Sequence, residues 1–228
     1  GLYLDDIAFS RSTVKRIANV LAKNRDSFII DLHSANQFNI RDGFINSALL
    51  YMEHFPFVTR LWFGEYFEYK NQPDYWMTEV SGIPFGLTGE MLEGGGRPYH
   101  GLIYGMTTRV YHNYNPGNLW NLFEDFNISE SRMIGYWVDY SPIKVNNNKI
   151  KCSIFQKNDE ILISLASWSS NDELIDLIID WDKIQFDKSK SSLISPDIQY
   201  LQELKSYDID SKININANEG LILILKKI

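Results

Sequence analysis

Carboxylates and histidines stand at the ends of short apolar runs through the first 140 residues of the chain. Asp5 and Asp6 close the opening run. Asp31 and His33 close the second, and Ser34, Asn36 and Gln37 follow them. Glu65 closes the third, after Trp62 and Gly64, and Glu90 closes the fourth. Carboxylates held near one another can pass protons to and from a reacting bond. A histidine beside an acid can donate a proton, fix a hydrogen bond or bind a metal. Asp31 and His33 are two apart and so share one face of a strand. Adjacent strand residues point to opposite faces, but at a strand's end, where pairing stops, Asp5 and Asp6 can both reach one site. Gly64 permits a ligand to approach the backbone closely. A parallel α/β barrel brings the C-terminal ends of its strands onto one face, where its chemistry occurs. Acids far apart in sequence would converge there.

The elements that position these residues follow from periodicity. Residues 2–6 read as a strand, and Ser12 as the N-cap of a helix to about residue 24. Within that helix Val14, Ile17, Ala18 and Leu21 form one apolar face. Residues 27–33 are a second strand, which completes a βαβ unit. Residues 46–53 look helical up to Pro56, 60–65 form a third strand, and Pro73 opens a helix to residue 80. A fourth extended run covers 83–90, a Gly-rich loop 93–96, helices 99–110 and 119–126, and a fifth strand 133–138. Beyond residue 143 the pattern becomes alternating strands separated by polar turns, at 149–155, 160–168, 174–180, 212–215 and 220–225. That pattern predicts an antiparallel sandwich. The fold class expected is therefore α/β plus all-β. Residues 1–140 form the C-terminal portion of a (β/α)8 TIM-type barrel, and 141–228 an antiparallel β-sandwich. Five strand–helix units make less than a full barrel, so the chain reads as part of a longer protein.

Composition divides the same way. All eight Arg, all four His and four of the six Trp precede Asp139, so the chemistry is expected in the first part. The net charge of −7 argues against a nucleic-acid partner. No apolar run approaches the roughly 20 residues of a membrane span. Cys152 is the single cysteine, which excludes an internal disulfide framework and any Cys-rich zinc site. Asp31, His33, Glu53 and His54 could hold a cation if they met, but no H-E-x-x-H or similar spacing supports a metal site. Residues 93–97 lack the spaced glycines and Lys-Ser/Thr of a phosphate loop.

The segments GLYLDDIAF, IDLHSANQFN, RDGFINSALLYMEHFPFVTRLWFGEYFEY, EVSGIPFGLTGEML and MIGYWV resemble bacterial glycoside-hydrolase-like proteins related to glycoside hydrolase family 123. ILISLASWSSNDELIDLIIDW is similar to the all-β domain that follows the barrel in many glycosidases. The resemblance implies hydrolysis of O-glycosidic bonds in oligo- or polysaccharides, with no organic cofactor. It also implies an extracytoplasmic location, periplasmic or secreted. It makes Asp5, Asp6 and Glu65 the candidate catalytic residues. Adjacent acids such as Asp5 and Asp6 resemble the pair of substrate-assisted hexosaminidases, in which one acid protonates the leaving oxygen and the other orients the acetamido group. In the ordinary two-carboxylate scheme Glu65 would instead pair with Asp5 or Asp6. Candidate substrate-binding residues are Asp31, His33, Asn36, Glu53, His54, Trp62, Tyr66, Glu90 and Trp137. Trp62, Tyr66 and Trp137 would offer faces for sugar stacking.

Each candidate also has a plain structural reading: a cap or ion pair to Arg11 for Asp5 and Asp6, an arginine partner for Glu65, and burial for Trp137. Two rivals to an enzyme that is part of a longer glycosidase therefore stand. One is a non-catalytic carbohydrate-binding module. The other is a structural fragment that pairs with a missing N-terminal part of the same protein, or with itself, through an open sheet edge.

Overall fold

The computed structural model describes residues 1–5, 9–33, 51–62, 71–89, 91–92, 98–108 and 115–228. Two compact units share the chain: residues 1–96 with 104–109, and residues 97–103 with 110–228.

The N-terminal unit is built on a parallel sheet in which sequence order equals spatial order: β1 (Leu2–Leu4), β2 (Ile30–His33), β3 (Arg60–Trp62) and β4 (Thr88–Gly89). Helix α1 (Arg11–Asn24) joins β1 to β2 and makes the βαβ unit. Ser10, not Ser12, is its N-cap, and the Ser10 carbonyl accepts from the amides of Thr13 and Val14. The Ser10 hydroxyl is engaged with the Ser12 and Thr13 hydroxyls, so the serine run gave no unique cap position. The four apolar residues of the helix stripe do meet the sheet. Val14 is fully buried against Ile30, Leu32, Leu61 and Leu87, and Ile17, Ala18 and Leu21 pack beside it. Each large side chain buried this way contributes about 1.5–3 kcal/mol relative to exposure.

Strand alternation then decides the other face. Leu4, Leu32 and Leu61 are matched in register and face the helix side. Tyr3, Asp31 and Arg60 are matched one position earlier and take the opposite, barrel-lumen side, as do Asp5, His33 and Trp62 beyond them. The sheet thus has an apolar back and a polar, aromatic front.

Several local expectations change. Residues 83–90 are not one extended run: Ile83–Phe85 is a 3-10 turn set between Gly82 and Gly86, both with positive φ, and only Thr88–Gly89 pairs. At Gly82 a side chain would also strike Leu61, so the turn needs glycine twice over. Residues 99–110 are not one helix. Pro98–Leu102 is helical, Gly105 breaks the chain direction at φ 76°, and β-branched Thr107–Thr108 forms a strand (β6) parallel to Met91–Leu92 (β5).

The C-terminal unit is antiparallel. Its strands are β7 (Arg132–Ile134), β8 (Ile143–Val145), β9 (Ile150–Gln156), β10 (Glu160–Ser167), β11 (Glu173–Ile175) and β12 (Leu177–Ile179). β13 (Ser191–Ser195), β14 (Lys205–Tyr207), β15 (Ile213–Ile215) and β16 (Gly220–Lys227) complete it. Six of them form one sheet in the order β14-β13-β16-β10-β9-β7, while β11 pairs with β15 and β12 with β8. The strand expected at 133–138 exists in shortened form, but it is antiparallel to β9, with Met133 opposite Phe155. It therefore belongs to this sheet and is not a fifth barrel strand. Its apolar Met133 and Ile134 carry no information on the direction of their partner. The expected strand 174–180 splits at Asp176, whose amide donates to the side-chain oxygen of Asn146 at 2.9 Å. Ile134, Ile154, Ile163, Leu165, Leu193, Leu223 and Leu225 are among the residues of the unit's core. Cys152 is buried there as well, and burial pushes its thiol up to about 12.

Candidate active site

The C-terminal ends of β1, β2 and β3 bring three side chains side by side. Asp5 follows β1, His33 ends β2, and Trp62 ends β3 directly opposite His33 in register. His33 Nδ1–H donates to the Asp5 carboxylate. The His33 side chain is 10% exposed while that of Asp5 is 67% exposed. The imidazole is thus the buried anchor, and the carboxylate is the member of the pair open to a ligand.

Aromatic rings fix the imidazole. Trp62 stacks on it at a centroid distance of 4.4 Å and an angle of 25°. Tyr3 lies on it at 5.7 Å and 22°, and stands 5.9 Å from Trp62. Aromatic pairs at such spacings add about 0.5–1.5 kcal/mol beyond burial. One layer deeper, Arg60 Nε and Nη2 both donate to the carboxylate of Asp31. Asp31 is 6% exposed, so its charge depends on that fork for compensation. Asp31 therefore supports the floor beneath Asp5 and His33, and its carboxylate is committed to arginine.

Of the remaining candidates, Glu53 and His54 lie at the other end of the sheet, Trp137 belongs to the C-terminal unit, and the others lie outside the described residues. Glu53 and His54 belong to the 3-10 turn Met52–Phe57, just before β3, at the end of the sheet opposite Asp5. His54 is buried there, 6.1 Å from the ring of Tyr51, and its Nε2 is 3.8 Å from Glu53. Trp137 follows β7 in the C-terminal unit and meets Tyr136 edge to face at 5.2 Å. Asp6, Asn36, Glu65, Tyr66 and Glu90 lie outside the described residues. Among the described residues no three carboxylate, histidine or cysteine side chains cluster as a metal site would require.

Sequence reasoning missed Tyr3 and Arg60 as members of this face. The signal was present: each stands two residues before a chosen candidate, Asp5 or Trp62, and period two puts them on the same side. His100, for which the sequence offered no role, is fully buried in the C-terminal unit. Its Nε2–H donates to the Ser167 carbonyl at 2.9 Å, and its ring meets Trp168 at 4.3 Å.

Parallel strands with polar side chains at their C-terminal ends, followed in the chain by an antiparallel β unit, define a class by architecture: part of an α/β barrel with a β domain. The profile of the glycoside hydrolase 123 TIM-barrel domain matches residues 1–111, and that of the glycoside hydrolase 123 C-terminal domain matches residues 115–226. The chain belongs to the glycoside hydrolase 123 family. No curated protein matches it in sequence. Among solved structures it is similar to a noncanonic maltogenic alpha-amylase from Thermotoga neapolitana, with a TM-score of 0.53 and 10% identity over 98% of this chain. It is also similar to a GH27 β-L-arabinopyranosidase from Geobacillus stearothermophilus, with a TM-score of 0.55 and 10% identity over 99% of this chain. At such identity the likeness is one of fold. The chain spans 61% and 58% of the length of those two proteins.

Proposed function

We propose that the chain is the C-terminal part of a glycosidase, a partial barrel and its β domain, acting on O-glycosidic bonds of an oligo- or polysaccharide. The observation that carries this reading is the exposed Asp5 carboxylate, held by His33 beside the rings of Trp62 and Tyr3. A carboxylate open on one side and anchored on the other can serve a glycosidic oxygen or a substrate group. The aromatic rings would give a sugar its apolar contact. In this proposal Asp5 and Asp6 are the catalytic acids of a substrate-assisted reaction, with Glu65 as the second carboxylate of the ordinary scheme. The ordinary scheme needs carboxyl groups roughly 5 Å apart for retention and roughly 6.5–9.5 Å apart for inversion. His33 positions Asp5, while Asn36, Tyr66 and Glu90 take sugar hydroxyls or faces.

The proposal includes a longer polypeptide whose strands continue the sheet beyond β1. Among the described residues β1 pairs only with β2, and Leu2, Tyr3 and Ile29 are exposed there. An edge strand with apolar side chains invites pairing. The experiment is hydrolysis of a panel of nitrophenyl glycosides, N-acetylhexosaminides included, by this chain and by a form extended at its N-terminus. Turnover by the extended form, abolished by Asp5→Asn, supports the reading. Sugar binding without turnover by either form would replace it with a carbohydrate-binding module.

A further inference from the structure

A separate cleft lies wholly within the C-terminal unit, between the turn after β7 and strands β8 and β9. It encloses about 200 Å³, and its wall includes Tyr136, Asp139, Lys144, Asn147, Asn148 and Lys151. Clefts for drug-sized ligands run to roughly 300–1,000 Å³, so this one suits a single ring. Lys144 Nζ donates to the backbone carbonyl of Asp139 at 2.7 Å. Lys151 Nζ donates to the carbonyl of Asn148 at 2.9 Å and stands 5.4 Å above the ring of Tyr136. Neither ammonium has a carboxylate partner among the described residues, whereas Lys149, Lys157, Lys183, Lys188 and Lys190 of the same unit each have one. An ammonium has three donors, so each of the two retains donors for a ligand. The wall is held in place: Asn147 donates to Glu173 at 2.7 Å and accepts from the Lys149 amide at 3.0 Å. Trp137 meets the Tyr136 ring edge to face at 5.2 Å.

We propose that this cleft binds an acidic sugar residue, a uronic acid, independently of any chemistry at the barrel face. The sugar carboxylate meets Lys144 and Lys151, its ring lies along Tyr136, and its hydroxyls donate to Asp139. Two lysines against one aspartate give the wall a local excess of positive charge in a chain of net charge −7, which selects an anion. A bare anion would gain nothing from Tyr136 and would be repelled by Asp139. A sugar uses both.

The test is titration of the full chain with trigalacturonate, alongside maltotriose as the neutral trisaccharide and acetate as the bare carboxylate. Amide chemical shifts and tryptophan fluorescence are the readouts. Saturable binding of trigalacturonate is expected, with shifts centred on residues 136–151 and affinity falling as salt rises. The double variant Lys144→Gln/Lys151→Gln should lose at least about tenfold in affinity at unchanged melting temperature, since surface substitutions of this kind stay within about 0.5 kcal/mol. Absence of saturable binding overturns the proposal, as does unchanged affinity in the double variant, equal binding of maltotriose, or acetate competing as well as the sugar. The map of shifts on the unsubstituted chain decides the matter even if the variants fail to fold, because shifts centred outside 136–151 also overturn it.

Discussion

At the scale of the residue, the exposed Asp5 and the buried His33 are a division of labour. The ring is fixed by Trp62 and Tyr3, and the fixed ring in turn limits where the carboxylate can sit. In an active extended form, Asp5→Asn is expected to lower kcat by about 10²–10⁴-fold, the range of a proton-transfer group, with sugar binding retained. Glu65→Gln should do the same if the two-carboxylate scheme operates. His33→Gln should cost less, about tenfold, because it loosens Asp5 without removing the carboxylate. Steady-state kinetics on the best nitrophenyl substrate measures all three. Arg60 has a different role. Removing it leaves the buried Asp31 without its fork, and breaking a buried pair costs about 3–5 kcal/mol. Because the Arg60 side chain retains 35% exposure, the low end of that range is expected for Arg60→Ala, read as a fall in the urea midpoint.

At the scale of the element, the front and back of the parallel sheet are set by a single alternation. Moving any strand by one residue would turn its leucines into the lumen and its acids into the helix layer. Helix α1 fixes the register by covering Leu32 and Leu61 with Val14. In the other unit, Gly220 opens β16 opposite Ala166. A Cβ at Gly220 would fall inside contact distance of both the Leu165 carbonyl and the ring of Tyr99, and the carbonyl belongs to a paired strand that cannot yield. Gly220→Ala is therefore expected to destabilise by about 3 kcal/mol, the upper end of overpacking costs. Thermal unfolding followed by circular dichroism reads the loss.

At the scale of the whole molecule, three carboxylates of the C-terminal unit are expected to make stability depend on pH. Glu173 is held below its ordinary value of 4.5, first by the Ser169 hydroxyl and then by Asn147 and Lys149. Asp180 and Asp187 lie below their ordinary value of 3.8, held by hydrogen bonds from Lys183 and from Ser189 respectively. For such groups the unfolded chain binds protons more readily than the folded one. Their contribution to stability is complete above the ordinary carboxylate range and is lost as pH falls through the lower folded values. The unfolding midpoint should stay level above about pH 6 and fall below about pH 4. Glu173→Gln should flatten that fall, and a stability curve unchanged by it would remove Glu173 from the account. The thiol of Cys152, pushed up to about 12 by burial, fits a core that excludes solvent from the same unit.

The first βαβ unit, the apolar stripe of α1, the strand character of β9 and β10 and the family resemblance were legible in the sequence, because each rests on local periodicity or on motif. Asp5, Asp31, His33 and Trp62 were also legible as candidates from their positions at the ends of apolar runs. What tertiary structure decided was partnership. Nothing local distinguishes an Asp31 that binds a sugar from one that is locked to Arg60, since the arginine is 29 residues away and meets it only when β2 and β3 pair. The same holds for Met133 and Ile134, whose apolar pattern suits a barrel strand as well as an edge of the antiparallel sheet. It holds for Glu53 and His54, which share the N-terminal unit with Asp5 but lie at the other end of its sheet. Periodicity specifies which face a side chain takes, whereas the identity of its neighbour across the sheet is a property of long-range pairing alone.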